Sequence, residues 1–71
     1  MVIKIKNRVK ELREMRELTQ KELGQIVNVS RQAINAIETG KYDPSIWLAY
    51  NLAQYFELTI EEVFDFKESI V

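Results

Sequence analysis

The 71-residue sequence contains no cysteine and no histidine, and it has one proline and two glycines. The absence of cysteine excludes disulfide bonds, and the absence of both residue types excludes the usual zinc ligands and the commonest nucleophile–base pairs of enzymes. No spacing of carboxylates or lysines suggests a pair in a cleft. We therefore expect no catalysis, no bound metal, no cofactor and no small-molecule ligand.

Long apolar runs are also absent. No segment approaches the roughly 20 apolar residues needed to span a bilayer. The first ten residues, MVIKIKNRVK, lack the apolar stretch of a signal peptide. The chain is expected to be one small domain in the cytoplasm, without contact to a membrane.

The net charge of −1 results from two parts of opposite sign. Residues 1–42 carry nine Lys or Arg and five Glu, a net charge of +4. Residues 43–71 carry one Lys and six Asp or Glu, a net charge of −5. Because Lys and Arg neutralise phosphates, the first part suits a polyanionic partner and leaves the second part for another role. Chance clustering on a solvated surface is the alternative.

Apolar periodicity and helix-capping signals predict an all-α domain of five short helices. The predicted starts are Asn7, Thr19, Ser30, Ser45 and Thr59, and the predicted ends are Glu17, Asn28, Gly40, Phe56 and Phe64. Alternating residues from Ile3 to Lys6 predict a short strand, which we expect to pair with a second strand in 66–71. The side chains expected to face inward include Leu23, Ile26, Val27, Ala33, Ile34, Ile37, Ile46, Leu48, Ala49, Leu52, Ala53 and Phe56.

The second and third predicted helices are separated by a tight turn. Two helices that cross closely need a small residue at the contact, which Gly24 supplies, and the turn needs a residue that tolerates positive φ, which Asn28 does. Val29, Ile34 and Ile37 are expected to hold the third helix from beneath. This arrangement, at about residues 19–39, is typical of a helix-turn-helix whose second helix enters the major groove of DNA.

The outward face of that third helix has an unusual composition. It presents Arg31, Gln32, Asn35, Ala36 and Thr39, and no carboxylate lies between Ser30 and Ile37. Arg pairs with guanine, Gln and Asn pair with adenine, and Ala contacts the thymine methyl group. Solvated helix faces are more often covered with Lys and Glu. The face therefore favours base recognition over the alternative of an ordinary polar surface.

The segment LTQKELGQIVNVSRQAINAIETGKYDPS resembles the Cro/CI-type helix-turn-helix family of phage and prokaryotic repressors, also called the lambda-repressor-like or XRE family. The resemblance covers about Asn7 to Phe64. It implies double-stranded DNA as the partner and a transcriptional regulator, most simply a repressor, that binds an inverted repeat as a homodimer. Asn28 stands where many members have glycine and Gly24 where many have alanine, and both exchanges are expected to be tolerated.

The resemblance also implies residue roles. The positions that match base-contacting residues are Arg31, Gln32 and Asn35. Those that match contacts to the DNA backbone are Gln20, Ser30, Lys41 and Tyr42. Arg13 and Glu38 match a structural salt bridge between the first and third helices.

Homodimerisation requires an apolar surface away from the third helix. The candidates near the C-terminus are Ile60, Val63, Phe64 and Phe66. Closure of the monomer core by these residues is an equally open alternative. Trp47 and Tyr50 lie off the main apolar stripe, and for them we expect partial burial rather than a partner contact.

Two other functions remain as alternatives to a DNA-binding regulator. The first is a module that bridges other proteins, which would not need Arg, Gln and Asn on the third helix. The second is the antitoxin of a toxin–antitoxin pair, which commonly needs an additional segment to wrap its toxin.

Overall fold

The computed structural model describes residues 6–65 and confirms the five helices and the small sheet. The elements in order are β1 (Lys6–Asn7), α1 (Val9–Met15), α2 (Gln20–Val27), α3 (Arg31–Glu38), α4 (Ile46–Tyr55), α5 (Ile60–Val63) and β2 (Phe64–Asp65). The strands are antiparallel, with Lys6 opposite Asp65 and Asn7 opposite Phe64. The strand positions predicted at Ile3, Ile5 and 66–71 lie outside the described residues. No helix in 6–65 has the length and apolar character needed to cross a bilayer.

Both predicted capping boxes are present. At the start of α2, the Thr19 hydroxyl accepts the N–H of Glu22 at 3.0 Å, and the Glu22 carboxylate accepts the N–H of Thr19 at 2.8 Å. Thr59 and Glu62 form the same pair of bonds, at 3.2 and 2.8 Å, at the start of α5. The hydrogen bond from the backbone of Thr19 lowers the pKa of Glu22 from its ordinary value of 4.5. Short-range side-chain chemistry thus sets the starts of these helices.

The first helix is shorter than the predicted span of Asn7 to Glu17. Asn7 belongs to β1, and its side chain accepts the N–H of Val9 at 3.0 Å, so it still satisfies a free donor at the start of α1. At the other end Glu17 adopts a left-handed conformation, with φ of 56°, and the N–H of Leu18 reaches back to the carbonyl of Arg13. This tight reversal ends the helix before Glu17.

All five helices contribute to one core, whose most deeply buried members come from distant parts of the chain. The buried apolar residues are Val9, Leu12, Leu23, Val27, Ile34, Ile37, Leu48, Ala49, Leu52, Ala53, Phe56, Val63 and Phe64. The predicted inward positions of Ile26 and Ile46 are wrong, since these side chains are 45% and 68% exposed. In α4 the buried residues occupy one side of the helix, and at 3.6 residues per turn Ile46 lies outside that stripe.

The C-terminal apolar residues pack inside the monomer. Val63 and Phe64 are 1% and 3% exposed, so a second chain cannot reach their side chains without opening the core. Their predicted position on a dimer surface is therefore corrected in favour of core closure. Ile60 is half-buried against the core, and Phe66 lies outside the described residues.

Candidate nucleic-acid interface

The angle between α2 and α3 depends on a close contact at Gly24. A Cβ atom added there would lie 2.6 Å from the carbonyl oxygen of Val29, and the Gly24 carbonyl accepts the N–H of Val29 at 2.8 Å. Asn28, between them, has φ of 63°, the left-handed conformation that the turn requires. Gly24 therefore suits this crossing better than the alanine of many family members, because a Cβ atom would conflict with backbone that cannot rotate away.

The inner side of α3 fixes which residues face outward. Ile34 and Ile37 are completely buried. At the N-terminus of α3, the Ser30 hydroxyl accepts the N–H of Ala33 at 3.1 Å. At the other end, the Asn7 amide donates to the Ile37 carbonyl at 3.0 Å, which connects α3 to β1. The helix is held from beneath by its buried side chains and at its C-terminal end by β1, so its outer face is presented in a fixed orientation.

A buried ion pair removes the one carboxylate of α3 from the outer face. The Nε of Arg13 donates to Glu38 at 2.7 Å, and their side chains are 11% and 2% exposed. This hydrogen bond raises the pKa of Arg13 above its usual value. Arg13 also donates to the Leu18 carbonyl at 2.7 Å, and Gln20 donates to Glu38 at 3.0 Å. The salt bridge implied by the family resemblance is thus present, within a network that joins α1, α2 and α3.

The outer face of α3 and the loop after it form one concave surface, hereafter the α3 surface. It is lined by Arg31, Gln32, Asn35, Ala36, Thr39 and Lys41. Two of these carry positive charge and two carry amides, and none of the described residues that line it is acidic. Arg31 and Gln32 are exposed, while Asn35 and Ala36 are half-buried. All three residues predicted to contact bases therefore lie side by side with Lys41.

The other residues predicted to contact the DNA backbone lie around this surface rather than in it. Ser30 is exposed at the N-terminus of α3. Tyr42 follows Lys41 and is 46% exposed, but it does not line the α3 surface. Gln20 is half-buried, and its amide is already hydrogen-bonded to Glu38, which braces α3 from α2. Contacts of these three residues with phosphate remain predictions.

An exposed apolar patch on α4 was not predicted from the sequence. Trp47 is 74% exposed and Ile46 is 68% exposed, and Tyr50 is 46% exposed. Together with the half-buried Ile60 they line one shallow apolar groove, hereafter the α4 patch. Partial burial was predicted for Trp47, which is instead the most exposed large hydrophobic side chain of residues 6–65. The signal for this patch was present in the sequence, since α4 contains more apolar residues than one buried stripe can accommodate.

The comparisons with known proteins agree with this geometry. The sequence model of the helix-turn-helix family matches residues 9–63. A protein of Methanocaldococcus jannaschii, named as an uncharacterized HTH-type transcriptional regulator, is 45% identical over 64 residues, which are 90% of this chain and 97% of that protein. A similarly named protein of Bacillus subtilis is 44% identical over 64 residues, with the same two coverages of 90% and 97%.

Among solved structures, the P22 c2 repressor in complex with a synthetic operator has the same fold. It superposes with a TM-score of 0.73 at 24% identity, over 76% of this chain and 82% of that one. The family match, the relatives and the fold lead to one assignment. This chain belongs to the helix-turn-helix family of the Cro/CI, or XRE, type.

Proposed function

We propose that this protein is a sequence-specific, double-stranded DNA-binding regulator of transcription, and that it acts in the cytoplasm as a repressor rather than as an enzyme. The observation that carries the proposal is the α3 surface, where Arg31, Gln32 and Asn35 lie beside Lys41 on a face without carboxylates. The names of the relatives as transcriptional regulators support the same function.

The chemistry of the α3 surface suits base recognition in the major groove. Arg31 has the planar donor pair that matches guanine, and the amides of Gln32 and Asn35 match the donor and acceptor of adenine. Ala36, which lines the same surface, is small enough to admit a thymine methyl group. Because Glu38 is paired with Arg13 beneath this face, it does not repel the DNA backbone.

Contacts to phosphate would set the register of α3 in the groove. Lys41 lies beyond the C-terminal end of α3, and the exposed N-terminus of α3 at Ser30 offers backbone N–H groups at the opposite end. These two positions therefore bracket the base-contacting residues. Such an arrangement separates contacts that fix position from contacts that fix sequence preference.

A homodimer on an inverted repeat is part of the proposal. One module of this size buries roughly 600–1,000 Å² of protein surface on DNA, which is little for tight specific binding. Two copies that bind half-sites about 34 Å apart would double the number of contacts. They would also double the free energy by which the operator is preferred over other DNA. The P22 c2 repressor, which has the same fold, binds a synthetic operator in its crystal structure, and this supports operator DNA as the ligand proposed for this chain.

A bridging function between other proteins is the second candidate. The exposed α4 patch favours it, since contiguous apolar surface often marks a protein contact. The composition of the α3 surface does not, because bridging has no need of adjacent Arg, Gln and Asn side chains.

Selection of binding sites from a random duplex library tests the proposal. With purified full-length protein at one stated moderate salt concentration, we expect enrichment of an inverted repeat. A double variant Arg31→Ala/Asn35→Ala should lose that enrichment, whereas Gln25→Ala, an exposed glutamine of α2 outside the α3 surface, should keep it. If the folded wild-type protein enriches no sequence, the regulator proposal is wrong and the bridging function takes its place.

A further inference from the structure

The α4 patch concentrates the exposed apolar surface of the protein. Six large hydrophobic side chains are exposed in residues 6–65, and three of them are Ile46, Trp47 and Tyr50. These three fall on the same side of α4, opposite the stripe that packs into the core. They surround a groove to which Ile60 of α5 contributes a fourth apolar wall. An apolar cluster of this kind is costly to leave in water and indicates an interaction site.

The charges around the patch indicate what covers it. Of the five helices in residues 6–65, α4 alone has no charged residue. Its exposed positions other than the patch are the neutral Asn51 and Gln54. In a two-fold symmetric interface each surface meets a copy of itself, so any charge near the axis would face a like charge. The α4 side of the patch meets this condition, whereas on the α5 side Glu61 lines an adjoining groove together with Tyr50 and Ile60.

The area of the patch fits a second copy that associates weakly. Fully burying an aromatic side chain removes about 150–250 Å² from water, so the exposed parts of Ile46, Trp47 and Tyr50 amount to on the order of 400 Å². A stable interface needs roughly 800 Å² from each partner. The patch supplies about half of this from its apolar centre, which places the expected dimer among weak or transient ones.

The patch is compatible with simultaneous DNA binding. It shares no residue with the α3 surface, and the two are separated by the loop that runs from Lys41 to Ser45, the residue that caps α4. The molecule measures 35 × 23 × 21 Å. Two such bodies placed side by side are of the right size to occupy half-sites about 34 Å apart while they touch at one edge.

The geometry points to the α4 patch as the surface through which two copies of this chain associate, in place of the C-terminal residues that close the core. This inference rests on the proposed function, because it names the surface of the proposed homodimer. The association is weak in free solution, and DNA strengthens it by holding two copies on adjacent half-sites at high effective concentration.

The first test needs no DNA. Trp47 is the sole tryptophan of the chain, so its fluorescence reports directly on the patch. We expect sedimentation to show a reversible monomer–dimer equilibrium between micromolar and millimolar protein, with a parallel blue shift of Trp47 emission. Ile46→Glu should stay monomeric with emission at the exposed position throughout. Met15→Glu is the matched control, since Met15 is 71% exposed but lies on α1 outside the patch, and it should behave as wild type.

The second test measures cooperativity on DNA. The probes are a duplex with the selected inverted repeat and the same duplex with one half-site scrambled. Trp47→Glu should weaken binding to the repeat by about tenfold or more and leave binding to the single half-site within about twofold. Met15→Glu should change neither.

The outcomes separate this inference from the proposed function. If Trp47→Glu dimerises and binds the repeat as wild type does, the inference is wrong while DNA recognition stands. If wild type stays monomeric at all concentrations and binds the two half-sites independently, the patch serves another protein and the inference is equally wrong. If the protein dimerises through the patch but selects no DNA sequence, the inference stands and the proposed regulator fails.

Discussion

The guanidinium of Arg13 and the carboxylate of Glu38 lie 2.7 Å apart, although 25 residues separate them in the sequence. Arg13 is on α1, and Glu38 is the last residue of α3. Both side chains are nearly inaccessible to solvent, and Gln20 of α2 donates to the same carboxylate. The pair therefore fixes the C-terminal end of α3 against two other helices.

Replacing Arg13 should destabilise the protein strongly. Arg13→Ala leaves the buried Glu38 without its cation, and breaking such a pair typically costs about 3–5 kcal/mol in the free energy of unfolding. Arg8→Ala is the control, since Arg8 pairs with Glu11 at 3.0 Å where both side chains are about half exposed, and it should cost far less than Arg13→Ala. Urea unfolding measures both. Equal losses in the two variants would reject a structural role for the buried pair.

Alanine at position 24 should strain the helix-turn-helix. Gly24→Ala places a Cβ atom 2.6 Å from the Val29 carbonyl oxygen, so α2 and α3 must move apart. Overpacking of this kind costs about 1–3 kcal/mol, which exceeds the gain in helix propensity of roughly 1 kcal/mol. Thermal unfolding against Gln25→Ala, an exposed neighbour on α2, gives the comparison. A variant as stable as wild type would show that the helix crossing can accommodate a methyl group without strain.

The capping box of α2 should contribute an acid-sensitive part of the stability. The pKa of Glu22 is lowered by its hydrogen bond from Thr19, so its contribution is present above the ordinary value of 4.5 and is lost as the pH falls through the folded-state pKa. The stability difference between wild type and Glu22→Gln should therefore shrink in acid. Melting temperatures from neutral to strongly acid pH measure this difference. Glu61→Gln, in the first turn of α5 but outside its capping box, is the control. A difference that stays constant with pH would contradict the assignment.

Much of the fold could be predicted because its determinants are local. The hydroxyl at Thr19 and the carboxylate at Glu22 lie one helical turn apart, and the chain needs no tertiary context to bring them together. The same holds for the left-handed Asn28. The residues that α3 contributes to the α3 surface could be predicted from their spacing on a single helix. These features depend on neighbours within a few residues, which a sequence displays directly.

What could not be predicted depends on packing between distant segments. Val63 and Phe64 are apolar near the C-terminus, and only the packing of α5 against α4 and of β2 against β1 decides that they are buried. Conversely, Trp47 stays exposed because the core already takes the opposite side of α4. The cost of alanine at Gly24 likewise depends on an oxygen at Val29, whose distance no spacing rule provides.

Loss of the charge at Lys41 should weaken DNA binding without changing its sequence preference. Lys41 contacts phosphate in the proposed complex, so Lys41→Ala should lower affinity for all duplexes alike and flatten the slope of log affinity against log salt by about one. Lys10→Ala removes an equal charge from α1, outside the α3 surface, and should leave that slope nearly unchanged. Titrations at several salt concentrations measure both. A shift in the preferred sequence on mutating Lys41 would assign it to the bases instead.

The most direct test of base recognition by α3 is the base preference of the Arg31→Ala variant. Binding is measured to the selected operator and to the set of duplexes in which each position of a half-site is replaced in turn. We predict a loss of about 1–3 kcal/mol on the operator, with preference relaxed at one base pair and retained elsewhere. An equal loss on every duplex, with all preferences intact, would show that Arg31 contacts phosphate alone and would contradict direct readout by this helix.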